Sequence, residues 1–144
     1  MNARPRGAPS ADLAVLHPDS WTIHFWEAAK DHRLTSAHCD NCGAFRMPPT
    51  PFCPKCLSQE TSWPTLSGDG TVYSFTIIRH AVIPQLAESV PYVLAMVDLD
   101  DAPGARVFTN IVECDPETVF VGQPVRVVWD DTSDEVTIPR FTPR

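Results

Sequence analysis

Cys39-Asp-Asn-Cys42, ten residues, then Cys53-Pro-Lys-Cys56: two Cys-x-x-Cys pairs at this separation predict a zinc ribbon. Each x-x pair turns two sulfurs to one side of a tight loop, and two such loops facing each other close a tetrahedron around one ion. Four thiolates leave no open coordination position, so the metal is read as structural Zn2+ and not as an activator of water. Two other readings of the same cysteines stay open here. One is a pair of disulfides, which needs an oxidising compartment. The other is iron held by the same four thiolates.

Gly43, after the first pair, supplies the flexible turn such a knuckle requires. Met47-Pro48-Pro49-Thr50-Pro51, between the pairs, must be extended or turning, because proline fixes φ and lacks an N–H donor. The ribbon is expected over residues 37–66.

Upstream, residues 1–19 mix Pro, Arg, Gly, Ala and Ser without periodicity and read as a flexible tail. In it Leu13, Val15 and Leu16 are candidates to dock on a neighbour. A helix is expected within residues 20–36, capped by Asp19 or Ser20. Trp21, Phe25, Ala28 and Ala29 share one helical face and Trp26 flanks them. Lys30 and Arg33 suit the C-terminal end of the dipole. Three large aromatics on a short helix have two readings: packing on the ribbon, or docking a partner protein.

Downstream, the residue types change to β-branched and aromatic. Gly68-Asp69-Gly70 is a turn or bulge signal before a run over 71–79; further runs cover 92–99, 106–112, 124–129 and 136–138. Tyr73, Phe75 and Ile77 are expected on one face of the first run, Val72 and Ile78 on the other. Asp115-Pro116-Glu117, between the third and fourth runs, reads as one short helical turn. Five strands with a small helical element in that place match an OB-fold barrel over residues 67–141. The fold class is therefore mainly β: an N-terminal helix, a zinc ribbon and a C-terminal five-stranded barrel.

The chain has 144 residues, of which 43% are hydrophobic and 20% charged, which bounds it to one ordinary globular domain or two small ones. No apolar run approaches a membrane span, and the first ten residues contain no signal-peptide core. A cytoplasmic protein with reduced thiols is expected. Ribbons and OB-folds also bind nucleic acid, but between Ser67 and Pro139 twelve carboxylates face three arginines. Such a surface repels phosphate, so no nucleic-acid partner is expected. Nucleophilic chemistry has one candidate, Cys114, whose acidic neighbours Glu113 and Asp115 make a thiol less reactive. No catalytic residue is assigned.

Taken in order, Phe25-Trp26-Glu27, the Cys39–Cys56 ribbon with its Pro48-Pro49 spacer, Gly70-Thr71-Val72-Tyr73-Ser74-Phe75-Thr76 and Val121-Gly122-Gln123-Pro124-Val125 resemble the OB-fold acyl-CoA-associated proteins. That family carries a rubredoxin-like zinc ribbon before the barrel and was long known as a domain of unknown function. The resemblance covers about residues 20–141 and rests on the order and spacing of the motifs together. It implies an accessory subunit that binds a thiolase-superfamily enzyme and helps form or stabilise its acyl-CoA site. Retro-aldol cleavage of a steroid side-chain CoA ester, or acyl transfer, is the chemistry implied for the pair. A hot-dog-fold hydratase is a further partner of the family and is expected here as a separate subunit. The interface is expected at Trp21, Phe25 and Trp26 and at the apolar loop residues Val82, Ile83, Leu86 and Val90. Arg46, Arg79 and His80 are the candidate CoA contacts. The alternative from another class is a stand-alone protein that binds or hydrolyses acyl-CoA.

Overall fold

A computed structural model describes residues 3–11 and 15–144; Leu13 lies outside the described residues. Cys39 ends the central strand of a small antiparallel sheet made by β1 (Ala37–Cys39), β2 (Phe45–Arg46) and β3 (Thr61–Ser62), and Cys42, Cys53 and Cys56 lie in the connecting turns. Such a sheet is too small to bury a core of its own. Ahead of it runs α1 (Ile23–Lys30). Asp19 holds the turn that starts the helix: its Oδ1 accepts from the backbone N–H of Trp21 and Thr22 and from the Thr22 hydroxyl, at 2.8–2.9 Å. These three bonds keep its carboxyl below the ordinary range. The helix buries Phe25, Ala28 and Ala29 and lies against the last barrel strand.

Past the helix, His32 takes a left-handed conformation (φ 54°) that turns the chain toward the ribbon. Its ring stacks on Trp129, with centroids 5.4 Å apart and planes 2° from parallel, and its Nε2 lies 2.9 Å from Asp131 Oδ1. That bond lowers the Asp131 pKa and ties the helix end to the barrel.

The barrel is closed, in the order β4 (Asp69–Ile78), β5 (Tyr92–Leu99), β6 (Arg106–Ile111), β8 (Thr137–Pro143), β7 (Pro124–Asp131) and back to β4. Its parallel contact is β6 with β8, at Ile111 and Phe141. This is the OB-fold expected from the strand pattern. The helical turn between β6 and β7 is present over Pro116–Thr118, with the Asp115 side chain accepting from Glu117 N–H at 3.0 Å. Val72, Val93, Val97, Leu99, Val125 and Phe141 fill the barrel, and Phe25, Leu34 and Leu66 extend the same core toward the helix and ribbon.

Two features depart from simple alternation. A β-bulge between Val72 and Ser74 shifts the β4–β5 register. It therefore puts Val72, Phe75 and Ile77 against the core and leaves Tyr73 exposed. The expectation that Tyr73 shares a face with Phe75 and Ile77 is corrected accordingly, because a bulge advances the side-chain phase by one residue. The second feature is Gly70, where a Cβ would stand 2.6 Å from Val97 Cγ1 and 2.7 Å from the Asp98 carbonyl oxygen. Gly70→Ala must push β5 away and is expected to destabilise the chain by about 1–3 kcal/mol in urea unfolding. A variant as stable as wild type would show that the strands can spread at no cost.

Residues 3–11 run along the barrel and do not hang free of it. Arg4 reaches Asp130, Arg6 exchanges backbone and side-chain bonds with Glu113, and Ser10 N–H donates to the Ser89 hydroxyl at 2.9 Å. A Pro, Gly and Ser composition describes a segment without a core of its own, not one without a surface to lie on.

Candidate functional site

The two knuckles are built alike. Gly43 N–H donates to the Cys39 carbonyl at 2.8 Å, and Leu57 N–H donates to the Cys53 carbonyl at the same distance. Both residues have positive φ, 77° and 63°. Gly43 adopts this freely; Leu57, exposed at the tip, adopts it at some cost. The turns bring four sulfurs within 4.8 Å of one another. Cys39 to Cys56 is 3.5 Å and Cys42 to Cys53 is 3.6 Å. A tetrahedron of 2.3 Å Zn–S bonds has edges of about 3.8 Å, so the donor set fits zinc, and these separations are far beyond a disulfide bond. Backbone N–H groups of Cys56 and Lys55 point at the Cys53 sulfur and lower its pKa. The Asn41 side chain and then the Ser58 N–H hold Cys56 down to about 6. These donors favour thiolate at Cys53 and Cys56, whereas at Cys42 the Ala44 N–H is outweighed by desolvation and the three facing sulfurs, which push that thiol up to about 11. The closed coordination assigns the zinc a structural role.

The residues expected at an interface divide three ways. Phe25 is 7% exposed and belongs to the core, because its helical face turns inward; Trp26 is half-buried beside it. Trp21 stands exposed on the turn before α1. On the loop after β4, Val82 and Ile83 are exposed while Leu86 and Val90 are half-buried. His80 is exposed, and Arg79 pairs with Glu117 across the barrel mouth. Arg46 is buried: its Nε donates to the Thr50 carbonyl at 3.1 Å and its Nη2 to Thr61 Oγ1 at 2.7 Å. Its Nη1 is the one buried side-chain polar atom without a partner among the described residues. Burial, and then the neighbouring Asp115, raise the pKa of the half-buried Cys114 thiol. A raised thiol pKa means little thiolate, the form a nucleophile requires.

An apolar cleft of about 300 Å³ opens where helix, ribbon and barrel meet, walled by Phe25, Trp26, Met47, Pro48, Phe108 and Pro139. It brings together the helix aromatics, the Pro48-Pro49 spacer and the outer face of β6. None of the loop residues 82–90 lines it. Phe108 is 69% exposed and continues onto a shallow depression with Leu94 and Met96 on the barrel's outer face. The sequence reading did not single out Phe108. The available signal was its position between the inward-facing Val107 and Thr109, which points a large aromatic at solvent.

Residues 26–62 match the family described as ChsH2, rubredoxin-like zinc ribbon domain, and residues 63–130 the family described as ChsH2, C-terminal OB-fold domain. The chain is 38% identical over 141 residues to a probable enoyl-CoA hydratase alpha subunit of Thermomonospora curvata, a match covering 97% of this chain and 40% of that protein. The chain thus spans about two-fifths of that relative's length. It is 32% identical over 129 residues to the benzoylsuccinyl-CoA thiolase subunit BbsA of Geobacter metallireducens, covering 83% of this chain and 81% of that one. It is also similar to the solved structure of an Ltp2–ChsH2(DUF35) aldolase, at 34% identity and a TM-score of 0.80, over 90% of this chain and 98% of that one. Among the described residues no helix is long and apolar enough to cross a membrane.

Proposed function

The chain belongs to the ChsH2 (DUF35) family, and on that premise we propose that it is the non-catalytic subunit of a thiolase-like enzyme acting on an acyl-CoA ester. The observation that carries this reading is the match, over 90% of this chain and 98% of the other, to a chain of the solved Ltp2–ChsH2(DUF35) aldolase. The BbsA relative supports it, being a subunit of a thiolase. Carbon–carbon cleavage of a steroid side-chain CoA ester is the reaction we favour for the pair. Acyl transfer is the second choice, and a hydratase is a further, separate partner. Thiolate-bound zinc suits a reducing, cytoplasmic setting.

The catalytic groups belong to the partner. This chain supplies interface area and one wall of the acyl-CoA site. Trp26 and Phe108 on the apolar cleft, Trp21 on the turn before α1, and Val82 and Ile83 on the loop are the docking residues. Arg79 and His80 at the barrel mouth are the CoA phosphate contacts. Arg46 is held inside the ribbon, and we assign it to ribbon structure.

Co-expression with a thiolase-fold enzyme from the same genome tests the reading. The two proteins are expected to co-purify and to turn over acyl-CoA only as a pair. Phe108→Glu is expected to weaken the complex by about 2 kcal/mol or more, roughly thirtyfold in Kd, with unfolding midpoint unchanged. Turnover or tight CoA binding by the lone chain would instead establish a stand-alone acyl-CoA protein.

A further inference from the structure

Asp130 faces outward from β7, since Val125, Val127 and Trp129 take the core side. Yet its side chain has no exposed surface. Asn110 on β6 and Arg140 on β8 are buried on the same outer face. The three are joined: Arg140 Nε and Nη2 donate to Asp130 Oδ2 at 3.2 and 3.1 Å, and Arg140 Nη1 donates to Asn110 Oδ1. Asn110 in turn donates to the Val93 carbonyl at 2.8 Å. Polar groups on the outside of a barrel are ordinarily left to water. Here the N-terminal segment is bonded over them.

Arg4 presents Nε to Asp130 Oδ1 and Nη2 to Oδ2, both at 3.1 Å. This is the paired geometry a planar guanidinium makes with a carboxylate and an ammonium does not. The same Nη2 donates to the Pro9 carbonyl at 2.7 Å, and Ala8 N–H donates to the Pro5 carbonyl, so the segment folds around its own guanidinium. Farther along, Arg6 N–H donates to Glu113 Oε1 and the Arg6 carbonyl accepts from Glu113 N–H. Ser10 N–H then reaches Ser89. Arg140 already balances the charge of Asp130. The Arg4 side chain, 38% exposed against 8% for Arg140, is the exchangeable partner of the two.

We infer that Asp130, Arg140 and Asn110 form a guanidinium slot, and that residues 3–11 are a releasable strap seated there through Arg4. Seated, the strap pins the loop between β4 and β5 at Ser89. Released, it leaves that loop, among the described residues, to its own turn bonds, Leu86 N–H to Ile83, Ala87 N–H to Pro84 and Ser89 N–H to Leu86. The strap and its slot are independent of the proposed function. Only the consequence for partner docking, through Val82 and Ile83, rests on that reading.

The full zinc-loaded chain, without partner, provides the test. Trypsin cuts at Arg6–Gly7, whereas proline after Arg4 blocks the other site. Arg4→Ala and Arg4→Lys are each expected to speed cleavage at Arg6–Gly7 by about tenfold, the equivalent of one charge-assisted hydrogen bond. Hydrogen exchange at Ser10, Leu86, Ala87 and Ser89 should rise in parallel, and 0.5 M NaCl should move the wild type the same way. Wild type and Arg4→Ala cleaved at equal rates would overturn the strap. Faster cleavage with unchanged exchange at 86–89 would overturn its hold on the loop. Arg4→Lys behaving as wild type would overturn the paired geometry as its basis. Loss of partner binding plays no part in these outcomes, so the accessory reading stands or falls separately.

Discussion

Cys53→Ser is expected to unfold the ribbon and leave the barrel closed. The ribbon's sheet consists of strands of three, two and two residues. Few apolar side chains are buried within it, and Phe45, Met47 and Trp63 only pack partly against the barrel core, so the metal is the main term that offsets the entropy of ordering about twenty-five residues. Structural zinc contributes an apparent 10–16 kcal/mol in zinc-finger peptides at neutral pH, more than the whole net stability of many domains. Removing one of four thiolates should cost well beyond the 10–100-fold in affinity that loss of an outer partner of a metal ligand costs. Zinc content measured by atomic absorption should fall to near zero. The Gly43 and Leu57 amides, which close the two knuckles, should lose protection from hydrogen exchange while amides of β5 keep theirs. A chelator should reproduce the effect on the wild type and a thiol reductant should not, which separates a thiolate metal site from a pair of disulfides. Because Trp26, Met47 and Pro48 line one cleft, loss of the ribbon removes a wall of the proposed docking surface, and partner binding should go with it. Retained knuckle protection, together with partner binding by a zinc-free Cys53→Ser chain, would contradict this account.

The metal centre was legible because its geometry is written in local spacing: a two-residue gap fixes which way the sulfurs turn. The barrel was legible for a similar reason, since strand periodicity and the Asp115-Pro116 cap are local signals. Four things were not. The bulge at Tyr73 has no residue that demands it; it arises where β4 must pair with β7 at one end and β5 along its length. Phe25 and Trp26 are adjacent, and only the packed helix decides which of them is core. The seat of Arg4 lies 126 residues away in Asp130, and no periodicity relates two such positions. Arg46, offered by the sequence as a cation for CoA, is instead enclosed by its own ribbon, because β2 turns it inward beside β1.

The polar face of the barrel yields the other large effect. Asp130→Ala is expected to cost about 3–5 kcal/mol, the range for a buried ion pair broken on one side. The loss comes less from the attraction forfeited than from Arg140, which stays buried with no carboxylate. Burial already lowers the Arg140 pKa, and the Asp130 charge opposes that shift. Asp130→Ala also strips Arg4 of its seat, so trypsin should cut faster at Arg6–Gly7. The reverse change is not equivalent. Arg140→Met leaves Asp130 with Arg4 still paired to both its oxygens, and methionine fills much of the volume. Its cost should be smaller, about 1–2 kcal/mol, and the strap should stay seated. Replacing both residues with apolar side chains of similar size should recover most of the Asp130→Ala loss, since no charge is then stranded. Urea unfolding of the four zinc-loaded proteins measures all of this at once. A larger cost for Arg140→Met than for Asp130→Ala would show that Arg4 cannot hold Asp130 alone, and that the pair beneath, not the strap, governs this face.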